Sequence, residues 1–350
     1  VSRLALVLAA GCVLAGAGTA PAAEAGKVQP DGLPFGTLYT DGIAEGSFML
    51  FAPGDEPNPK ITVDAPKFVK VLNTGTHRQE FGNRGAFTCV TVEVAIDTAK
   101  AGEFKGEIAL AAGETKAKVP VSATVKARTA GTPRVLIVGS PFERYSTTSG
   151  SHYKGWTDVV DAAGLDVSYL LVRPKTSVVR DTDLGKFDCV LMSADALHGQ
   201  TKEDVKRVRA FAEGGGRLVV TANAFFVSSV KGANAVLDGY GLEMKDTEAP
   251  MAVEVVVKKD HLDPELVKAG VGKVKFFRAS PVQADRGKGG RVLISTPEFD
   301  QPGYGYVAIA KAGKGEVVAM GVSLWWSWVS DKRANESDNG KVLGHLLAPP

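Results

Sequence analysis

The chain is poor in cysteine: three occur in 350 residues. That excludes a disulfide-stapled scaffold and a cysteine-rich metal module. It also lacks an excess of either charge. Lys+Arg number 41 and Asp+Glu 39, a net +2. This is no electrostatic footprint for nucleic acid, and no block of lysine and arginine marks a membrane-surface patch. Long apolar runs are missing too. The run Leu4 to Ala17 is 14 residues, too short to cross about 30 Å of hydrocarbon as a helix. What remains is ordinary: 44% apolar and 23% charged residues, which excludes wholesale disorder and a multi-span membrane protein. The length is that of two or three domains.

Arg3 to Ala25 read as a secretory signal peptide, with a basic start, an apolar run, and Ala20-Pro21-Ala22 or Ala23-Glu24-Ala25 as the cleavage site. Segment 1–25 is therefore expected to be removed on export. The mature chain is then periplasmic or secreted and has no transmembrane segment. Ala9-Ala10-Gly11-Cys12 gives a lipoprotein as the minor alternative, because leucine stands one place too far from Cys12. Cys89 and Cys189 fall in different expected domains, so no disulfide between them is expected. A cysteine in a strand pattern such as Phe187 to Met192 is a small hydrophobe.

Residues 33–128 read as all-β. Phe35 to Thr40, Gly46 to Ala52, Lys67 to Leu72, Thr88 to Ile96, Phe104 to Ala111 and Ala117 to Lys126 are short runs punctuated by Gly, Pro, Asn and Asp. Val90, Val92, Val94 and Ile96 share one face and Cys89, Thr91 and Glu93 the other. The expectation is a sandwich of two antiparallel sheets, each with one packed and one wet face, of immunoglobulin-like size.

Arg128 to Pro133 is a linker, and at Arg134 the grammar changes. Val135 to Gly139 is a continuous apolar run, as a strand covered on both faces requires. Strands are expected at 166–172, 187–193 and 217–223, with helices at 154–163 and from Thr201. There Thr201-Lys202-Glu203-Asp204 resembles a capping box, and Val205, Val208, Phe211 and Ala212 form the apolar stripe. Strand-like runs at 253–258, 274–277, 292–295, 304–310 and 316–322 are taken as insertions and edges of the same domain. A helix over 339–347 closes it. Residues 134–348 are thus expected to be a doubly wound α/β sheet of flavodoxin-like type.

Two stretches carry resemblances. Leu33 to Leu38, Val92 to Thr98 and Gly102 to Ile108 resemble bacterial immunoglobulin-like modules of ASH/MSP type, which implies a spacer or binding module. Phe187 to Leu191, Phe211 to Val220, Lys259-Asp260-His261-Leu262-Asp263-Pro264 and Gly313 to Gly321 resemble the class I glutamine-amidotransferase-like superfamily, in particular its ThuA-like branch. That resemblance implies a nucleophilic cysteine on an elbow after the strand Leu218 to Thr221, and a His–Glu pair near the C-terminus. The elbow here reads Thr221-Ala222-Asn223-Ala224-Phe225, without cysteine, and the C-terminal region has no His-x-Glu. A thiolate needs a base and an orienting group to attack an amide, so glutaminase chemistry is expected to be absent. No catalytic residue, cofactor or metal is assigned.

In open α/β sheets ligands sit beyond the carboxyl ends of the strands. The residues expected to line such a crevice are Ser140, His152, Asp195, His198, Asn223 and Trp325. Asp195 and His198 are read as loop residues with no helix to fix them on one face. Ser149 to Tyr153 before a helix is read as an N-cap at Ser151, with anion binding through its backbone N–H groups as the alternative. Trp325, Trp326 and Trp328 are either core or a flat apolar wall for a sugar or peptide. Two functions compete: a non-catalytic envelope protein binding a carbohydrate or protein partner, and a ThuA-like enzyme of sugar metabolism using His152, Asp195 or His198 as acid and base.

Overall fold

The computed structural model describes residues 26–53, 58–80, 86–139, 158–173, 176–222, 227–246, 255–276, 279–295, 302–322 and 336–349. The expected signal segment 1–25 lies outside them. The chain divides into two compact units. Among the described residues the first runs to Lys126 and the second begins at Ala127.

The first unit consists of strands β1 (Val28–Gln29), β2 (Leu33–Tyr39), β3 (Glu45–Pro53), β4 (Ile61–Asp64), β5 (Val69–Glu80), β6 (Ala86–Ile96), β7 (Gly102–Ala112) and β8 (Thr115–Lys126). They form two four-stranded sheets, ordered β1-β3-β6-β5 and β2-β8-β7-β4. All pairs are antiparallel except β2 with β8, which is parallel. The sheets meet closely: a Cβ on Gly46 of β3 would lie 2.7 Å from the Phe35 ring of β2. Phe48, Leu50, Val90, Val92 and Val94 of one sheet and Ile108, Val119 and Val121 of the other are buried. Such burial stabilises by about 25 cal/mol per Å² of apolar surface.

Two expectations need correction here. Strands β1 and β4 have no counterpart among the expected runs, and β5 extends eight residues past Leu72. The alternation also misleads about the second face of β6. Cys89 and Glu93 are buried, and Met49, Phe51, Phe87 and Cys89 form an apolar cluster on the face opposite Val90 and Val92. β7 and β8 keep the expected wet face, with Glu107 and Lys118 paired across it at 3.0 Å.

The second unit is built on β9 (Arg134–Val138), β10 (Asp166–Leu170), β11 (Cys189–Met192), β12 (Arg217–Thr221), β17 (Arg291–Ile294), β19 (Val307–Ala312) and β20 (Gly315–Met320). The order is β10-β9-β11-β12-β20-β19-β17. The first five strands are parallel; β19 and β17 join antiparallel. β10, β11 and β12 are buried at every residue, as parallel strands covered on both faces must be. Two further pieces stand apart from this sheet. One is a three-stranded sheet of β13 (Leu242–Met244), β16 (Val282–Ala284) and β18 (Tyr304–Gly305). The other is a two-stranded ribbon of β14 (Val255–Lys258) and β15 (Lys273–Phe276). Of the runs expected over 251–310 as insertions and edges, β17 and β19 are the edge strands and the two small sheets are the insertions.

The helices are α1 (Ala194–Gly199), α2 (Lys202–Glu213), α3 (Val227–Leu237), α4 (Pro264–Lys268) and α5 (Asn339–Leu347). Residues 158–162 are helical as well. The capping box on α2 is present: the Thr201 side chain accepts from Asp204 N and the Asp204 side chain accepts from Thr201 N. Asp204 is fully buried and also takes hydrogen bonds from Ser177 Oγ, Val178 N and Val179 N. Burial works against its charge, yet the donors Ser177, Thr201 and Val178 outweigh it and hold the carboxyl below its usual range. Arg217, at the start of β12, is buried against Glu316 at 2.6 Å and donates to the carbonyls of His345 and Ala348. It thereby ties the last turn of α5 to the central sheet.

Candidate functional site

Four adjacent parallel strands, β9, β11, β12 and β20, present their carboxyl ends side by side. Of the six residues expected to line that edge, Asp195 and His198 are described. Ser140, His152, Asn223 and Trp325 lie outside the described residues. So do the expected N-cap at Ser151, the remaining tryptophans of the cluster, and the elbow from Asn223 to Phe225. No described distance therefore joins the six into one site.

What the structure does bring together is Gly139, Ser193 and Asp195. The chain leaves β9 through Gly139, whose φ of +102° a side chain rarely adopts. A Cβ there would fall 1.8 Å from Ser193 Oγ and 2.5 Å from Asp195 Oδ1. Ser193 is buried, stands at the N-cap position of α1 without a side-chain capping bond, and donates its hydroxyl to Asp195 Oδ1. The strand ends of β9 and β11 thus converge on one hydroxyl and one carboxylate. The sequence places the crevice beyond the strands that end at Gly139 and Ser193, but neither residue is among those expected to line it. The signal was a glycine directly after an apolar strand, the pattern of a turn that must pass close to something.

Asp195 and His198 are not loop residues: both lie on α1, three apart, and both are exposed while Ala196 and Leu197 between them are buried. The short helix fixes them on one face after all. No cluster of three or more potential metal-ligating side chains occurs among the described residues.

Cys89 and Cys189, the cysteines among the described residues, are buried and form no disulfide there. Cys189 begins β11, and burial pushes its thiol up to about 12, against a smaller opposing effect of Arg217. A thiol so placed is neither ionised nor reachable. At the opposite, amino-terminal end of the strands a groove of about 660 Å³ opens between Asp183, Phe187, Asp188, Phe211 and Gly216. It contains none of the six expected residues. No described helix is long and apolar enough to cross a membrane.

No family model matches the chain, and no curated protein matches it. Solved structures similar to it include an exo-β-1,4-mannosidase from Opitutaceae bacterium strain TAV5, at 14% identity and TM-score 0.41, covering 63% of this chain and 36% of the mannosidase. This chain thus spans about a third of that enzyme's length. A cytoplasmic protein of Salmonella typhimurium LT2 is 14% identical with TM-score 0.44, over 61% of this chain and 98% of that one. A ThuA-like protein from Bacteroides uniformis ATCC 8492 is 14% identical with TM-score 0.37, over 62% of this chain and 92% of its own.

Proposed function

We propose that this is an exported, non-catalytic protein whose α/β unit binds a small polar ligand or partner and whose β unit serves as spacer or adaptor. The observation that carries the binding role is the convergence of Gly139, Ser193 and Asp195 at the carboxyl edge of the parallel strands. Ligands of open α/β sheets sit at that edge. The order β10-β9-β11-β12-β20 supports a flavodoxin-like core, since numbering the five strands in sequence gives 2-1-3-4-5. In the first unit, lettering β1 and β3 to β8 as A to G gives A-B-E-D in one sheet and C-F-G in the other. That is the immunoglobulin constant-type arrangement, which supports the immunoglobulin-like reading. Export rests on the signal-like segment Arg3 to Ala25.

The non-catalytic reading rests on the buried, un-ionised Cys189 and on the elbow sequence, which lacks a nucleophile. A second reading, a ThuA-like enzyme acting on sugars, draws on the exposure of Asp195 and His198 on one helix face. The first assay checks the missing nucleophile and the others separate the two readings. Purified protein is expected to release no ammonia from glutamine. It is expected to show saturable thermal stabilisation by members of a panel of sugars and short peptides, lost in Ser193→Ala and Asp195→Ala. Turnover of any sugar that disappears in His198→Ala would overturn the non-catalytic reading.

A further inference from the structure

The ribbon β14–β15 has two very different faces. Its inner face, Val255, Val257, Val274 and Phe276, is buried, with the Phe276 ring 5.2 Å from Tyr306. Its outer face carries Val256 opposite Lys275 and Lys258 opposite Lys273. The outer edge of β15 is sealed: Asp338 N donates to Lys273 O, Asp338 Oδ2 accepts from Gly272 N and Lys273 N, and the Asn339 amide exchanges two bonds with the Lys275 backbone. The ribbon is thus held firmly with its outer face outward.

On that face the charges are not balanced. Lys275 is neutralised by Glu336 at 2.6 Å. Lys258 and Lys273 are directly opposed and exposed, and neither forms an ion pair among the described residues. Like charges opposite one another in an antiparallel pair are unfavourable. Such a local conflict in an otherwise well-packed element marks functional use. Beside them Val256 is 45% exposed, the large hydrophobic side chain that stands out among the described residues.

We propose that this outer face docks an extended acidic polypeptide segment of a partner. One carboxylate sits between the ammonium groups of Lys258 and Lys273, and an apolar side chain two residues away covers Val256. The spacing fits, because side chains two residues apart on a strand lie about 6.6 Å apart, and the two rows of the ribbon are separated by the same step. An anionic bilayer fits less well. Basic surfaces that hold to lipid carry clusters of roughly 4–8 lysines and arginines, whereas here Lys258, Lys259 and Lys273 are the unpaired ones.

The test uses the full chain and a labelled, acetylated peptide of alternating Glu and Val separated by Thr, followed by fluorescence anisotropy. Binding is expected at about 20 mM salt and is expected to weaken markedly at about 200 mM. Lys258→Gln and Lys273→Gln should each weaken it roughly five- to tenfold. Their thermal midpoints should equal or exceed that of the wild type, because the opposed pair is relieved, so the loss cannot be unfolding. Lys206→Gln, on the exposed side of α2, should leave binding unchanged, and the same peptide with Lys in place of Glu should not bind. Failure of the acidic peptide to bind, or equal weakening by Lys206→Gln, overturns the proposal. So does tighter, Lys258-dependent binding to phosphatidylglycerol vesicles, which would assign the face to a bilayer. None of these outcomes touches the edge at Ser193 and Asp195, so the two readings fail separately.

Discussion

Gly139 concentrates two constraints in one residue. Its left-handed backbone and the Ser193 hydroxyl 1.8 Å from the place of a Cβ both exclude a side chain. Gly139→Ala is expected to cost about 2–4 kcal/mol in urea unfolding and to abolish any ligand-induced stabilisation. An unchanged midpoint would show that the turn relaxes freely. Asp204 is the second such residue. With its folded pKa lowered, its stabilisation is complete above the unfolded value near about 3.9 and is lost as pH falls through the folded value. Asp204→Asn should cost about 2–3 kcal/mol at neutral pH, and the gap to wild type should close as the buffer is taken down through that acidic range. Cys189 makes the third case. Iodoacetamide should leave it unmodified in the native protein and label it fully in denaturant; native labelling would contradict the burial that pushes its pKa to about 12.

At the scale of elements, what could be read from sequence was whatever left a local mark. The run Val135 to Val138, the capping box at Thr201 and the closing helix over 339–347 all depend on neighbours in sequence, and each is where it was expected. The unread elements depend on partners far away. β4 is four residues with alternating partial exposure, and its strand character comes from pairing with β7. α1 is six residues long, too short for a periodic signal. The covered second face of β6 is invisible to alternation, because Thr, Cys and Glu look the same wet or buried. Of the site, the strand ends were legible from topology, while the closeness of Ser193 to Gly139 needed coordinates. Arg217 illustrates the same limit: it reads as the first residue of a strand, yet it binds Glu316 and two carbonyls of the C-terminal turn. Arg217→Met should cost about 3–5 kcal/mol, and Arg217→Lys should not restore it, since a single ammonium cannot reproduce the fork. Full stability in Arg217→Lys would show that charge alone suffices.

At the scale of the whole molecule, the change of grammar puts the expected boundary after residue 128, while the compact units divide between Lys126 and Ala127. Arg128 belongs to the second unit. Its Nε lies 2.6 Å from Asp166 Oδ2, and the Asp166 side chain is 1% exposed at the head of β10. Arg134 approaches the same oxygen at 3.9 Å. The segment that reads as a linker is therefore anchored, through a half-buried arginine, to the buried first residue of an edge strand. Removing Arg128 leaves the Asp166 carboxylate with the more distant Arg134 alone, and an under-compensated buried charge is costly. Arg128→Ala should then lower stability by about 3 kcal/mol, a drop of roughly 6–12 °C for a unit of this size. Asp166→Asn should be milder. The double variant should recover much of the loss of Arg128→Ala, because the carboxylate left with only the distant Arg134 is gone. Scanning calorimetry of the four full-length proteins decides the matter. Strict additivity of the two substitutions would mean that Arg128 and Asp166 do not interact, and the boundary would move back to residue 128.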